Sequence, residues 1–209
     1  MLTLDSKFSE YFDLIKGIAC SDATKPQSEL LAKNPDLTID DVFSGYRDDP
    51  AFDEGWGAWC LEEMGKELGS DIREMIINKI KSPLKCFKLF LKCPFLSEKE
   101  ITLLKGKYEG DKDVARAVIC LEAIQKNRDF NTVRVNSIST CKTVLEAKTL
   151  IESAGYTTAL SVDTAEKSSD DLKNTLEIER AKITEATKQV MVGQGFGGVA
   201  EFYAWFEVA

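Results

Sequence analysis

Chemistry in this 209-residue chain has to be done without histidine, because the sequence contains none. That removes a histidine base, a histidine-bound metal and every Ser-His or Cys-His pair. The nucleophiles that remain of interest sit in Asn136-Ser137-Ile138-Ser139-Thr140-Cys141-Lys142. The pattern predicts a strand before this loop and a helix after it. Free N–H groups and the dipole at a helix N-terminus suit an anion, and a thiol in a first turn is placed for activation. Cys141 and Ser139 are therefore the candidate catalytic residues for a phosphorylated or otherwise anionic substrate. The competing explanation is that Ser139 or Thr140 simply caps the helix. A second stretch, Gly193-Gln194-Gly195-Phe196-Gly197-Gly198, satisfies G-x-G-x-x-G through Gly193, Gly195 and Gly198. A dinucleotide site needs a strand before that motif, a helix after it and an acidic residue about 20 positions on. Here a helix precedes it and only 11 residues follow Gly198. It reads as a helix-to-strand connection, or as a loop over a ligand pocket.

Charge is the other chemical signal. From Met75 to Ser97 there is no acid, while lysines fall at 79, 81, 85, 88 and 92. Lys81, Lys85, Lys88 and Lys92 recur at helical spacing and form one stripe, with Leu84, Phe87 and Leu91 mostly opposite. By contrast, Asp36–Glu63 holds nine acids against Arg47 alone. The stripe is a candidate anion- or partner-binding face; it would also serve as a solvated face neutralised by the acidic segment of the same chain. Acid pairs such as Asp48-Asp49, Asp53-Glu54 and Asp111/Asp113 offer oxygen ligands, but none matches an EF-hand loop. They read as cap and loop acids, and neither a metal nor a cofactor is expected.

Composition bounds the rest. A formal charge of −8 and a pI near 4.8 argue against a nucleic-acid binder. No apolar run reaches the roughly 20 residues of a membrane span. The first residues lack a basic region and an apolar core, so no signal peptide is expected. Six cysteines, at 20, 60, 86, 93, 120 and 141, form no C-x-x-C; they read as reduced, mostly buried thiols in a cytoplasmic setting.

The elements that would position these groups are helical in the first part. Apolar residues Phe8, Tyr11, Phe12 and Ile15 predict a helix over 6–19, and a short one follows Pro26 near 28–33. Thr38-x-x-Asp41 and Ser97-x-x-Glu100 have the form of capping boxes. They belong to two stretches, 33–64 and 92–124, that echo each other: Lys33 and Lys92 are 59 residues apart, Cys60 and Cys120 are 60 apart. The form Pro-x-Leu-Ser/Thr-x-x-acid, then helix, break and helix, resembles HEAT-like or leucine-rich-variant helical repeats. Those families stack helix pairs into curved binding surfaces, and the resemblance implies such a surface here. A solenoid generally needs three or more repeats, so a duplicated compact bundle is the equal alternative.

Periodicity stops at Gln125–Asn131, which is taken as the boundary between a helical domain, 1–127, and a second domain, 131–209. Thr132–Asn136 alternates with period 2 and predicts a strand. A helix over 139–154, ending at Gly155, and a strand over 156–162 follow. Ser168-x-x-Asp171 caps a helix reaching about Val190, and the aromatic segment Val199–Val208 predicts a last strand by composition. The expected fold class is α+β: a duplicated unit of about 60 residues, then a small β-α-β-α-β layer. The function expected from charge segregation without a catalytic set is a non-enzymatic intracellular adaptor whose partner is another protein. The alternatives are a histidine-independent enzyme on the C-terminal domain and, third, peripheral binding to an anionic membrane.

Overall fold

The computed structural model describes residues 1–45, 54–156 and 169–208. Among the described residues the elements are helices, α1 to α11, with no strand or sheet beyond two isolated bridges, Leu2 with Leu68 and Lys7 with Thr38. The chain divides into two compact units, Met1–Val114 and Ala115–Ala209.

Unit 1 contains α1 (Phe8–Ile15), α2 (Ser21–Lys33), α3 (Ile39–Gly45), α4 (Glu54–Met64), α5 (Ser70–Lys79), α6 (Pro83–Lys92) and α7 (Glu98–Tyr108). Its core joins Phe8, Tyr11 and Ile15 to Ile39, Leu61, Leu68, Ile72, Ile77, Ile80, Leu89 and Leu104. Both predicted capping boxes form. The Thr38 amide donates to Asp41 Oδ2 at 2.9 Å and the Asp41 amide to Thr38 Oγ1 at 3.1 Å. The Ser97 amide donates to Glu100 Oε2 at 2.7 Å and the Glu100 amide to Ser97 Oγ at 3.3 Å. Each box satisfies helix-terminal donors that would otherwise be orphaned. Helix α2 starts earlier than the sequence suggests and takes Pro26 inside it.

The N-terminal segment straps this unit. The Leu2 amide donates to Glu67 O at 2.7 Å, the Leu4 amide to Asp71 Oδ2 at 2.8 Å, and the Ile39 amide to Ser6 O at 2.8 Å. Helix α4 ends where Gly65 lets the Phe95 ring approach: a Cβ there would press on the Leu61 main-chain oxygen and lie 2.6 Å from the ring. A Gly65→Ala substitution is therefore expected to lower stability by about 1–3 kcal/mol through overpacking. Thermal melting would check this, and Phe95→Leu added to Gly65→Ala should recover part of the loss.

Unit 2 corrects the fold class. Thr132–Asn136, predicted as a strand, is the interior of a long helix, α8 (Lys112–Thr140). Five residues with period 2 were too short a window. Over a longer one, Phe130 (buried), Val133, Ser137 (buried), Ile138 and Cys141 recur at helical spacing, and Ser137 Oγ donates to Val133 O at 2.8 Å. Tertiary packing outweighs the β-preference of the two valines. The second predicted strand, 156–162, lies outside the described residues except for Tyr156, and the Ser168 cap also lies outside them. The third, Val199–Val208, is helix α11. Phe202 and Phe206 are buried one turn apart and their rings stack at 5.5 Å, so the aromatics serve a helix face. The α+β layer is thus replaced by helices α8, α9 (Val144–Ser153), α10 (Ser169–Gly193) and α11.

A small core in unit 2 holds Phe130 from α8, Ala147 and Ile151 from α9, and Leu172 and Leu176 from α10. Helix α9 ends as expected at Gly155, whose φ is +83°. The Tyr156 amide reaches Ile151 O at 3.2 Å and the Gly155 amide Glu152 O at 2.9 Å, the paired bonds of a Schellman ending. Gln125–Asn131, the expected boundary, lies inside α8, and the echoed stretch 92–124 spans the division at 114/115.

Candidate functional site

Three lysines of the expected stripe, Lys85, Lys88 and Lys92, are carried by α6; Lys81 lies before its Ser82 cap, outside the helix. Ser82 caps it by accepting the Lys85 amide at 3.3 Å, and Pro83 occupies the first turn where its missing N–H is harmless. Leu84, Cys86, Phe87 and Leu89 are buried, Cys86 and Leu89 in the core of unit 1. Packing of that face against α4 and α7 leaves the opposite side for the lysines. Lys81 and Lys92 are exposed, Lys85 and Lys88 half-buried, and Leu91 is 49% exposed beside them.

Two carboxylates of α4 meet the ends of this helix. Glu54 Oε2 accepts the Ser82 amide at 3.1 Å, and Glu62 Oε2 pairs with Lys92 Nζ at 2.8 Å. The acidic segment therefore does neutralise part of the basic one. Lys107 Nζ, further along, donates to Asn78 O and Ile80 O at 2.9 and 2.6 Å, closing the C-terminal end of α5.

The predicted catalytic loop is arranged differently. Ser139 and Thr140 are the last residues of α8, and their hydroxyls donate back to Asn136 O at 3.0 and 2.7 Å. Cys141 follows that C-terminus, its amide bonded to Ser137 O at 3.0 Å, and its side chain packs against the small core. The N-terminus of α9 is capped instead by Thr143 and Glu146 in a full capping box. Cys141 is thus at the end of a helix that repels anions, not in the first turn that attracts them.

Gly193, Gly195 and Gly198 form the turn from α10 to α11, helix to helix. Gly195 has φ +83°, and the Phe196 amide reaches Met191 O at 2.9 Å. Arg116 of α8 locks this turn: its guanidinium donates to Gln194 O at 2.7 Å and lies 4.8 Å from the Phe196 ring and 5.3 Å from Trp205. Cys141 is 25 residues beyond Arg116 on the same helix axis. At 1.5 Å per residue that separates it from the glycine turn by about 35 Å. The two halves of the catalytic reading do not converge.

Buried thiols are passivated. Burial pushes Cys60 and Cys93 up to about 11, and raises Cys86 and Cys120 as well. Cys60 Sγ lies 3.4 Å from the buried Tyr11 hydroxyl, which desolvation holds well above its ordinary value. All six cysteines are unpaired as disulfides. Among the described residues no cluster of His, Cys, Asp or Glu has metal-site geometry, and no helix is long and apolar enough to cross a membrane.

The polar centre that sequence reading missed is Arg73–Glu100. Arg73, 8% exposed, donates Nε to Glu100 Oε1 at 2.7 Å and Nη2 to Oε2 at 3.3 Å. Its Nη1 reaches Gly65 O at 3.2 Å and also Leu68 O. Desolvation alone would raise the Glu100 carboxyl, but Arg73 and Ser97 outweigh it and hold the group below its ordinary value. Arg73 sits among Ile72, Ile76 and Ile77, the one sequence signal of a charge turned inward; nothing local pointed to Glu100 as its partner. With Arg73, Glu100, Ser97 and the Gly65 and Leu68 carbonyls bonded to one another, this centre is architectural. The chain matches no protein-family model, no curated protein and no solved structure.

Proposed function

We propose that this protein is a non-enzymatic interaction protein that binds another protein through the lysine face of α6. The observation that carries the reading is the division of labour on that helix. Its apolar side packs into the core, with Leu89 and Cys86 fully buried, while Lys85, Lys88 and Lys92 lie on the outer side and the exposed Lys81 directly precedes the helix. A helix whose apolar side is already used has little to insert into a bilayer, which sets the membrane reading below the protein one. The net charge of −8 sets nucleic acid lower still. An enzyme acting on an anionic substrate draws no support from a Cys141 and a glycine turn at opposite ends of α8. A cytoplasmic or otherwise reducing compartment fits six unpaired cysteines.

The test is affinity capture from cell extract with the wild-type chain and with Lys81→Glu/Lys85→Glu. The specifically bound protein should fall by about tenfold in the variant, as expected for reversed charges at an interface. Equal recovery, with both proteins melting at the same temperature, would remove the α6 face from function.

A further inference from the structure

We infer that Glu62 of α4 is a built-in competitor for the end of the α6 lysine face, and that the ligand displacing it is a short acidic segment of a partner protein. This rests on the interaction reading above and specifies the ligand. The molecule supplies its own example of what the face accepts. Glu62 holds Lys92 of the face at 2.8 Å, while Glu54 accepts the Ser82 main-chain amide at the helix cap at 3.1 Å. Carboxylates therefore occupy both ends of α6, about 15 Å apart at the helical rise. The Glu62–Lys92 pair is at the surface, with side chains 26% and 56% exposed. Such a pair is weak and screened by salt, so it opens readily.

Length follows from the surroundings. On α6 the face runs only from Lys85 to Lys92, roughly 10 Å at the helical rise, with Lys81 just before the helix start, within a chain of net charge −8. A long polyanion or a charged plane would overrun the lysines and meet the acids beside them. A segment of two or three helical turns would not. Carboxylates spaced like the lysines, one helical turn apart, can each reach one ammonium group.

The experiment uses the full chain and a fluorescent helical peptide whose glutamates repeat at the spacing of Lys81, Lys85, Lys88 and Lys92. A scrambled peptide of the same composition, vesicles containing phosphatidylserine, and inorganic polyphosphate are the comparisons. Anisotropy titrations are run at low and physiological salt, with melting temperatures as a folding control. The patterned peptide should bind more tightly than the scrambled one and lose binding in Lys81→Glu/Lys85→Glu. It should bind about threefold more tightly to Glu62→Gln, the scale of a weak surface ion pair removed. Glu63→Gln, which alters the neighbouring exposed acid, should change nothing. If lysine-dependent binding survives but Glu62→Gln gives no gain, the competitor is refuted and the interaction face stands. If the peptide does not bind, or binds regardless of the lysines, both are refuted. Tighter lysine-dependent binding of vesicles or polyphosphate than of the peptide would overturn the acidic-segment assignment.

Discussion

Glu100→Gln is expected to destabilise unit 1 by about 3–5 kcal/mol, the usual consequence of leaving a buried charge without its partner. Arg73 would keep its guanidinium inside the core, 8% exposed, facing an amide in place of a carboxylate. The carboxylate also closes the Ser97 capping box through Oε2, so α7 loses part of its N-terminal anchor, worth ~1 kcal/mol. Unfolding in urea would measure the loss. In a Trp205→Phe background, fluorescence comes from Trp56 and Trp59 and so reports unit 1. Arg73→Met should be comparably damaging, since it strands Glu100 and frees the Gly65 and Leu68 carbonyls. The Arg73→Met/Glu100→Leu pair should cost less than the two single changes added together, because a buried ion pair is more dispensable than half of one. Strictly additive single effects of under about 1 kcal/mol would show that the pair is not a coupled unit.

The same carboxylate sets a pH signature. Its folded value lies below the ordinary range, so the stability it contributes is complete above the unfolded value of about 4.3 and is lost as pH falls through the folded value. Glu100→Gln lacks that contribution. The gap between wild type and variant should therefore be widest near neutral pH and narrow in acid. A gap that stayed constant from neutral pH down to about 2 would contradict the assignment.

Local rules were legible in the sequence and long-range pairings were not. The Thr38 and Ser97 boxes and the Gly155 ending each depend on residues no more than five apart, and their bonds are where spacing put them. Lys85, Lys88 and Lys92 share one helix and one period, as spacing suggested, but Lys81 falls outside α6 because Ser82 and Pro83 start the helix after it. Arg73–Glu100 joins residues 27 apart and Glu62–Lys92 residues 30 apart; which acid faces which base is decided by helix packing that no local pattern encodes. The interaction of acidic and basic segments was readable as a balance of charge, but not as particular bonds. The C-terminal half failed for a different reason. Val133 and Val135, and the aromatics of 199–208, favour strands by composition, yet each lies on a helix whose buried positions repeat every three or four residues. In those windows composition and period disagreed, and the period was the better guide. Cys141 lies after a helix end and not in a first turn for the same reason, since α8 runs unbroken to Thr140 where a strand was expected.

Val135 allows that conflict to be settled by substitution. It is 54% exposed, so a change there acts on the backbone and hardly on packing. Within α8 a proline at 135 would remove one main-chain bond to the carbonyl of residue 131 and press its ring against that carbonyl. Val135→Pro should therefore destabilise unit 2 by about 3 kcal/mol or more. The loss cannot be absorbed by fraying the end of α8, because Ser137 is fully buried beyond it and Arg134 pairs with Glu177 before it. Val135→Ala should do the opposite and raise stability by a few tenths of a kcal/mol, since alanine is the better helix former. In a strand the alanine would be the destabilising change, so its sign alone separates the two structures. Trp205 fluorescence, with Trp56 and Trp59 replaced by Phe, would follow unit 2, and far-UV circular dichroism would report the helix lost. If proline and alanine agreed within about 0.5 kcal/mol, Val135 would not lie in a helix interior, and the continuous α8 that connects the Arg116 lock to the Phe130 core would have to be given up.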